Sequence, residues 1–169
     1  LGPGASLSVM LDTGQLSSLI FWGPPGVGKT TMARLLALET DLHFIQISAI
    51  FTGVPELKKV FEAAKIRHEN GLGTLLFVDE VHRFTKAQQD GFLPYMEDGT
   101  ILLVGATTEN PSFELNAALL SRAQVLVLEC LTLADLEHLT QRAERELATA
   151  LPLTGAAREA LQEMADGDG

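Results

Sequence analysis

Eight consecutive residues, Gly23-Pro24-Pro25-Gly26-Val27-Gly28-Lys29-Thr30, have the spacing G-x-x-x-x-G-K-[ST]. Glycines at these positions let backbone N–H groups turn inward around phosphate oxygens, and a following helix would point its positive N-terminal end at the same anion. Lys29 then neutralises the β- and γ-phosphates, Thr30 offers a hydroxyl to Mg²⁺, and Thr31 closes the candidate nucleotide-binding set. A structural glycine turn is the plain alternative. The apolar run before the loop and the helical spacing after it favour binding of a nucleoside triphosphate such as ATP. Fifty residues later Leu75-Leu76-Phe77-Val78-Asp79-Glu80 closes an apolar run with two adjacent carboxylates. Beside a phosphate loop, Asp79 is suited to orient the Mg²⁺ shell and Glu80 to polarise the attacking water, whereas alone the pair would be a solvated turn. The presence of Glu80 favours a hydrolase over a nucleotide-binding switch. Asp79-Glu80-Val81-His82 also spells a DExH box, which would make the chain part of a helicase.

A third polar group follows the run Ile101 to Ala106, namely Thr107-Thr108-Glu109-Asn110. If that run is a strand lying between the two motif-bearing strands, one of these side chains can touch the γ-phosphate or the water. Otherwise they are ordinary turn residues.

The elements that must hold these groups alternate. Residues 1–17 read as an irregular lead-in with one helical turn near Leu7 to Leu11. Strands are expected at Ser18 to Trp22, His43 to Ser48, Thr74 to Asp79, Ile101 to Thr107 and Val125 to Cys130. Helices are expected at Thr30 to Thr40, with Met32, Ala33, Leu35, Leu36 and Leu38 at helical spacing, and at Pro55 to Asn70, with the proline in the first turn. Further helices are expected near Lys86 to Glu97, where Pro94 should kink or shorten the element, and at Glu114 to Ser121. Five apolar strands alternating with helices predict an α/β fold with a five-stranded parallel sheet covered on both faces. After Cys130 the pattern becomes purely helical, at Ala134 to Leu147 and at Thr154 to Ala165, with Thr154 as N-cap. The expected organisation is therefore a nucleotide-binding core over 1–131 and the start of an all-helical subdomain over 132–169.

With 46% hydrophobic residues, the 169-residue chain can build a real core. It lacks any run of about 18 or more uncharged apolar residues, so no membrane role and a cytoplasmic location are expected. Cys130 has no second cysteine to pair with and reads as a small buried hydrophobe. The net charge of −10 argues against a whole-surface grip on nucleic acid. Residues 129–169 carry −6 of it, from nine acids against three bases. Lys58, Lys59, Lys65, Arg67 and His68 form the densest basic group, and a solvated helix face is the plainer reading.

Taken together, these motifs resemble the AAA+ ATPases, and within them the replication-associated recombination protein A group (RarA, also called MgsA), relatives of clamp-loader subunits and of the RuvB motor. The resemblance runs from Leu19 to Cys130 and more loosely to Gly169. Its specific part is FVDEVHRFTKAQQDGFLPYMEDGTILLVGATTENPSFELNAALLSR, residues 77–122. It implies the P-loop AAA+ sheet followed by a helical lid, with ATP and Mg²⁺ as cofactors. Lys29 and Thr30 would be the Walker A pair, Asp79 and Glu80 the Walker B pair, and Thr107 or Thr108 sensor 1, with Asn110 as the alternative. Arg122 resembles an arginine finger inserted into a neighbouring subunit's site, which implies a homo-oligomer. Ser48 is a candidate to hydrogen-bond Glu80 and hold it from water until a partner binds. His82 has no assigned chemical step.

The resemblance further implies a DNA-dependent ATPase of replication-fork maintenance and recombination. It would act on single-stranded or forked DNA at the nucleoid, near single-stranded-DNA-binding protein and the clamp loader. A DExH helicase fragment and a non-hydrolysing regulatory subunit of clamp-loader type are the alternatives. Two parts of the family pattern are expected beyond this chain, the sensor 2 arginine, for which Arg158 is a weak substitute, and a C-terminal oligomerisation region. The region before Leu1 that helps enclose the adenine is expected beyond it too.

Overall fold

A computed structural model describes Leu7, Met10, residues 16–130 and residues 132–147. Five strands form one parallel sheet: β1 (Ser18–Trp22), β2 (His43–Ser48), β3 (Thr74–Asp79), β4 (Leu102–Thr107) and β5 (Ala123–Val127). Their spatial order is β2-β3-β4-β1-β5, so β4 lies between β1 and β3. Parallel pairing needs crossovers, and helices supply them. These are α1 (Lys29–Glu39) and α2 (Val54–Glu69), then the short helices α3 (Lys86–Asp90), α4 (Leu93–Glu97), α5 (Pro111–Glu114) and α6 (Ala117–Leu120). A single 3₁₀ turn, Val81–Arg83, follows β3.

The described chain forms two compact units. One contains residues 16–22 and 29–127, with the whole sheet; the other contains the loop 23–28 and the chain from Leu128, with helix α7 (Leu133–Leu147). Leu7 and Met10 are helical, while the rest of the expected turn near them, the expected helix at Thr154 to Ala165 and Arg158 lie outside the described residues.

The core follows strand position. The central strands are sealed, with Leu19, Ile20, Phe21, Leu75, Leu76, Phe77, Val78, Leu103, Val104 and Ala106 all fully buried. The edges differ from the expectation of a strand covered on both faces. Val125 and Val127 of β5 are exposed, and Cys130 is exposed three residues beyond the strand's end at Val127. The apolar run there marks an edge strand and its continuation, so Cys130 is not the buried hydrophobe its neighbours suggested. In α1 the buried face is Ala33, Leu36 and Ala37, while Leu35 and Leu38 face outward. Small side chains on the inner face let the helix lie close to the sheet.

The two helices expected after β3 and β4 are each split. Between β3 and β4, α3 ends at Asp90 and Pro94 falls in the first turn of α4, where its missing N–H costs nothing. After β4, Leu115 adopts an extended conformation, and Asn116 caps the next helix by accepting from Leu119 N at 2.7 Å. One buried side chain binds these pieces together. Gln89 of α3, completely enclosed, donates to the carbonyls of Phe84 (3.0 Å) and Glu114 (3.3 Å) and accepts from Asn116 N (2.9 Å). Beneath it, Phe61 of α2 meets Phe92 edge-on at 5.3 Å and stacks on Tyr95 at 4.3 Å. Lys58, Lys59, Lys65 and His68 lie on the exposed face of α2 and Arg67 is half-buried, so most of the basic group is a solvated helix face.

Gln89→Met keeps the side chain's length and removes all three hydrogen bonds. It should lower the urea midpoint with little change in slope, each backbone group left unpaired costing about 1–3 kcal/mol. An unchanged midpoint would show that Gln89 is not the tie between α3 and the 114–116 segment.

Candidate active site

In a parallel sheet every strand ends at the same edge, and ligands collect outside the carboxyl ends. Register brings Ser48 level with Asp79 across β2 and β3, and Thr107 level with Trp22 across β4 and β1. Four strands thus terminate side by side. Lys29 opens α1, only 8% exposed. Burial holds its ammonium below the ordinary lysine value, while Glu80 and then Asp79 pull it back up. The lysine and both carboxylates therefore share one electrostatic environment.

Asp79 belongs to the strand, but Glu80 leaves it abruptly. Its backbone is left-handed (φ 52°, ψ 45°), a conformation that costs a non-glycine residue about 1–3 kcal/mol and persists where its surroundings impose it. Arg83 N donates to Glu80 O at 2.8 Å and closes the following turn. The turn seats Val81 against β4 at Gly105, where an added Cβ would lie 3.1 Å from Val81 Cγ1 and 2.8 Å from Ile20 Cδ1. His82, next in the turn, is nearly enclosed. Its Nδ1 lies 3.2 Å from Glu80 Oε2 and 2.9 Å from Thr107 Oγ1. Thr107 is fully buried, and its hydroxyl also accepts from Glu109 N at 3.0 Å and donates to Glu109 O at 3.2 Å.

This cluster sorts the candidates. Of the three candidates for sensor 1, Thr107 meets His82 beside Glu80, Thr108 is half-buried, and Asn110 caps α5 by accepting from Ser112 N at 3.0 Å. Ser48 is level with Asp79, yet the side chain found against the Glu80 carboxylate, at ion-pair distance, is His82. Thr30 is half-buried and Thr31 exposed in the first turn of α1. The loop 23–28 has Gly26 at φ 83° and Gly28 at φ 84°, a region open to glycine. Gly23 packs so tightly that an added Cβ would sit 2.2 Å from Leu128 O. Pro24, Pro25 and Gly26 are exposed and Val27 is half-buried.

Oxygen donors are what Mg²⁺ requires, and Asp79 and Thr30 are oxygen donors. Among the described residues no group of three or more His, Cys, Asp or Glu comes together as an all-protein cage. Such a donor set fits an ion that takes most of its ligands from phosphate and water.

Arg122 stands apart, just after α6 and exposed. Its guanidinium bonds Glu97 of α4 (Nε to Oε1, 2.7 Å) and donates to Ala118 O at 2.9 Å. The chain from 19 to 130 matches the ATPase family associated with various cellular activities (AAA).

The chain belongs to the AAA ATPase family.

It is 51% identical to replication-associated recombination protein A of Haemophilus influenzae over 143 residues, covering 85% of this chain and 32% of that protein. Against the Escherichia coli K12 protein of that name it is 46% identical over 173 residues, covering 99% of this chain and 39% of the relative. The chain thus spans about a third of the length of these curated relatives. Among solved structures, the Thermotoga maritima RuvB Holliday junction branch migration motor matches with a TM-score of 0.73 and 29% identity. That match covers 96% of this chain and 54% of RuvB. The expected AAA+ sheet and the resemblance to the recombination protein A group both hold.

Sequence reasoning missed Glu97 and Gln89 as residues that shape this AAA ATPase, and left His82 without a partner. The alternation of polar and apolar residues in 86–97 places neither side chain, because the helix is broken at Gly91 and Phe92. Glu97→Ala frees Arg122 at an exposed position, so stability should change by less than about 1 kcal/mol. A larger loss in thermal or urea unfolding would mean that the pair braces α4 against α6.

Proposed function

We propose that this AAA ATPase chain is the ATP-binding and ATP-hydrolysing core of a DNA-dependent ATPase acting in replication-fork maintenance and recombination. The observation that carries the reading is the convergence of Lys29, Asp79, Glu80 and Thr107 at one strand edge, with the lysine sensing both carboxylates. Gly23 to Thr31 would cradle the triphosphate through backbone amides, with Lys29 against the β- and γ-phosphates. Thr30 and Asp79 would hold Mg²⁺, which when bound neutralises phosphate charge during transfer. Glu80 polarises the water for in-line attack, Thr107 contacts the γ-phosphate or that water, and Thr108 and Asn110 support the loop behind it. Residues 1–131 form the nucleotide-binding core in this reading, and 132–169 open a helical lid.

Arg122, exposed on α6's C-terminal side, is assigned to the neighbouring subunit's site in a homo-oligomer, where it would stabilise transition-state charge. The DNA role rests on the relatives' printed name. In this reading the full-length protein acts on single-stranded or forked DNA, cytoplasmic at the nucleoid, near single-stranded-DNA-binding protein and the clamp loader, with no membrane partner. Among the described residues no helix is long and apolar enough to cross a membrane. The DExH helicase reading loses its support, since the chain falls in the AAA family and His82 turns to Glu80 and Thr107. A complete carboxylate pair weighs against the non-hydrolysing subunit.

In the full-length protein, Glu80→Gln should retain ATP binding and lower turnover by about 10²–10⁴-fold. Loss of binding with no separate effect on turnover would make Glu80 structural. Arg122→Ala should cut turnover by about 10³-fold while ATP affinity holds, and mixing it with Lys29→Ala subunits should restore activity at the shared sites. A verified mixed oligomer without recovery would place the finger elsewhere. Turnover measured with single-stranded, duplex and forked DNA tests the DNA dependence, and equal rates with and without DNA would remove it.

A further inference from the structure

We infer that His82 is a positioning residue whose Nδ1, bonded to the Thr107 hydroxyl and at ion-pair distance from the Glu80 carboxylate, links the two, so that occupancy of Thr107 sets the grip on Glu80. The inference rests on the reading of Glu80 as base and Thr107 as γ-phosphate contact.

A carboxylate offers only acceptors, so at 3.2 Å from Glu80 Oε2 an Nδ1 that carries a hydrogen is favoured over one that turns a lone pair to the charge. Thr107 Oγ1 donates its single proton to Glu109 O at 3.2 Å and accepts from Glu109 N at 3.0 Å. It therefore has a lone pair left for Nδ1–H of His82 at 2.9 Å. The opposite tautomer would let Thr107 donate to a bare Nδ1, and would set that nitrogen's lone pair against the carboxylate. The carboxylate and the free lone pair of Thr107 thus both favour the proton on Nδ1, bonded to Thr107 and facing Glu80.

The two oxygens compete for that one N–H. When a phosphate oxygen draws the Thr107 proton away from the Glu109 carbonyl, the hydroxyl rotates and its lone pair leaves Nδ1. The N–H of His82 is then free to turn to Glu80, and the carboxylate is held in one orientation only when triphosphate is present. The scaffold is stiff enough for this. The His82 side chain is 6% exposed, and its turn is closed by Arg83 N to Glu80 O and Phe84 N to Val81 O. Val81 is pinned on Gly105 of β4, the strand that ends in Thr107.

The test is a double-mutant cycle in the full-length protein, with kcat and KM for ATP read separately. His82→Phe keeps a ring and removes the N–H. His82→Asn puts an amide nitrogen at the position of Nδ1. His82→Phe should lower kcat about tenfold or more, less than the roughly 10²–10⁴-fold of a group that itself transfers the proton, with KM changed less than about threefold. His82→Asn should recover most of the rate. Thr107→Ala should cost at least about threefold less in the His82→Phe background than in the wild type, as coupled neighbours do. Equal Thr107→Ala penalties in both backgrounds, or an Asn variant as slow as the Phe variant, overturn the coupling. Should His82→Phe fail to fold, His82→Gln replaces it, since its amide lies one carbon further out; it should be slow where Asn is fast, and equal rates overturn the coupling. If the wild type hydrolyses ATP and Glu80→Gln abolishes this, the active-site reading stands whatever the cycle gives. If the wild type hydrolyses none with DNA and Mg²⁺, both readings fall.

Discussion

Everything at this site depends on parallel register. Because all five strands run the same way, the residues that close β1, β2, β3 and β4 stand along one edge, and β4 is the strand that separates the loop-bearing β1 from the carboxylate-bearing β3. An insertion of one residue in β4 would turn Thr107 to the other face of the sheet. Gly105 shows how close the fit is, since the strand's neighbour on that face is the turn that carries His82.

A second constraint is the departure of the chain from β3. Asp79 still belongs to the ladder and its carbonyl accepts from Ala49 N at 2.9 Å, while Glu80 is forced into a left-handed conformation one residue later. Two adjacent carboxylates thereby face different surroundings, which is what different tasks require. The cost of that backbone is borne by the hydrogen-bonded turn behind it and by the sealed packing of Val81.

Around this centre the chain uses short helices where the residue pattern suggests longer ones. Pro94 and Leu115 break the runs, and the pieces are rejoined by the side chains of Gln89 and Asn116 rather than by continuous helix. The break after α5 places Arg122 at the surface beside Glu97, a salt-bridged position from which a guanidinium can be released at small energetic cost. An uninterrupted helix over these residues would set Arg122 by helical periodicity alone.

Local pattern decided a good deal. The glycine loop, the strand-end carboxylates and the central strands were legible because each is a contiguous run whose physics is local, namely glycine backbone freedom, apolar burial and covalent adjacency. Period and composition could not say which strands are edges, so the exposure of Val125, Val127 and Cys130 was decided by the tertiary fold. The same holds for Thr107, rather than Thr108 or Asn110, meeting His82, for Glu80 turning to His82 although Ser48 lies across the strand pair, and for the pairing of Arg122 with Glu97. Each of these joins residues about 25 or more positions apart or only two apart, and such distances follow from strand order and a left-handed turn, which no short window of residues encodes.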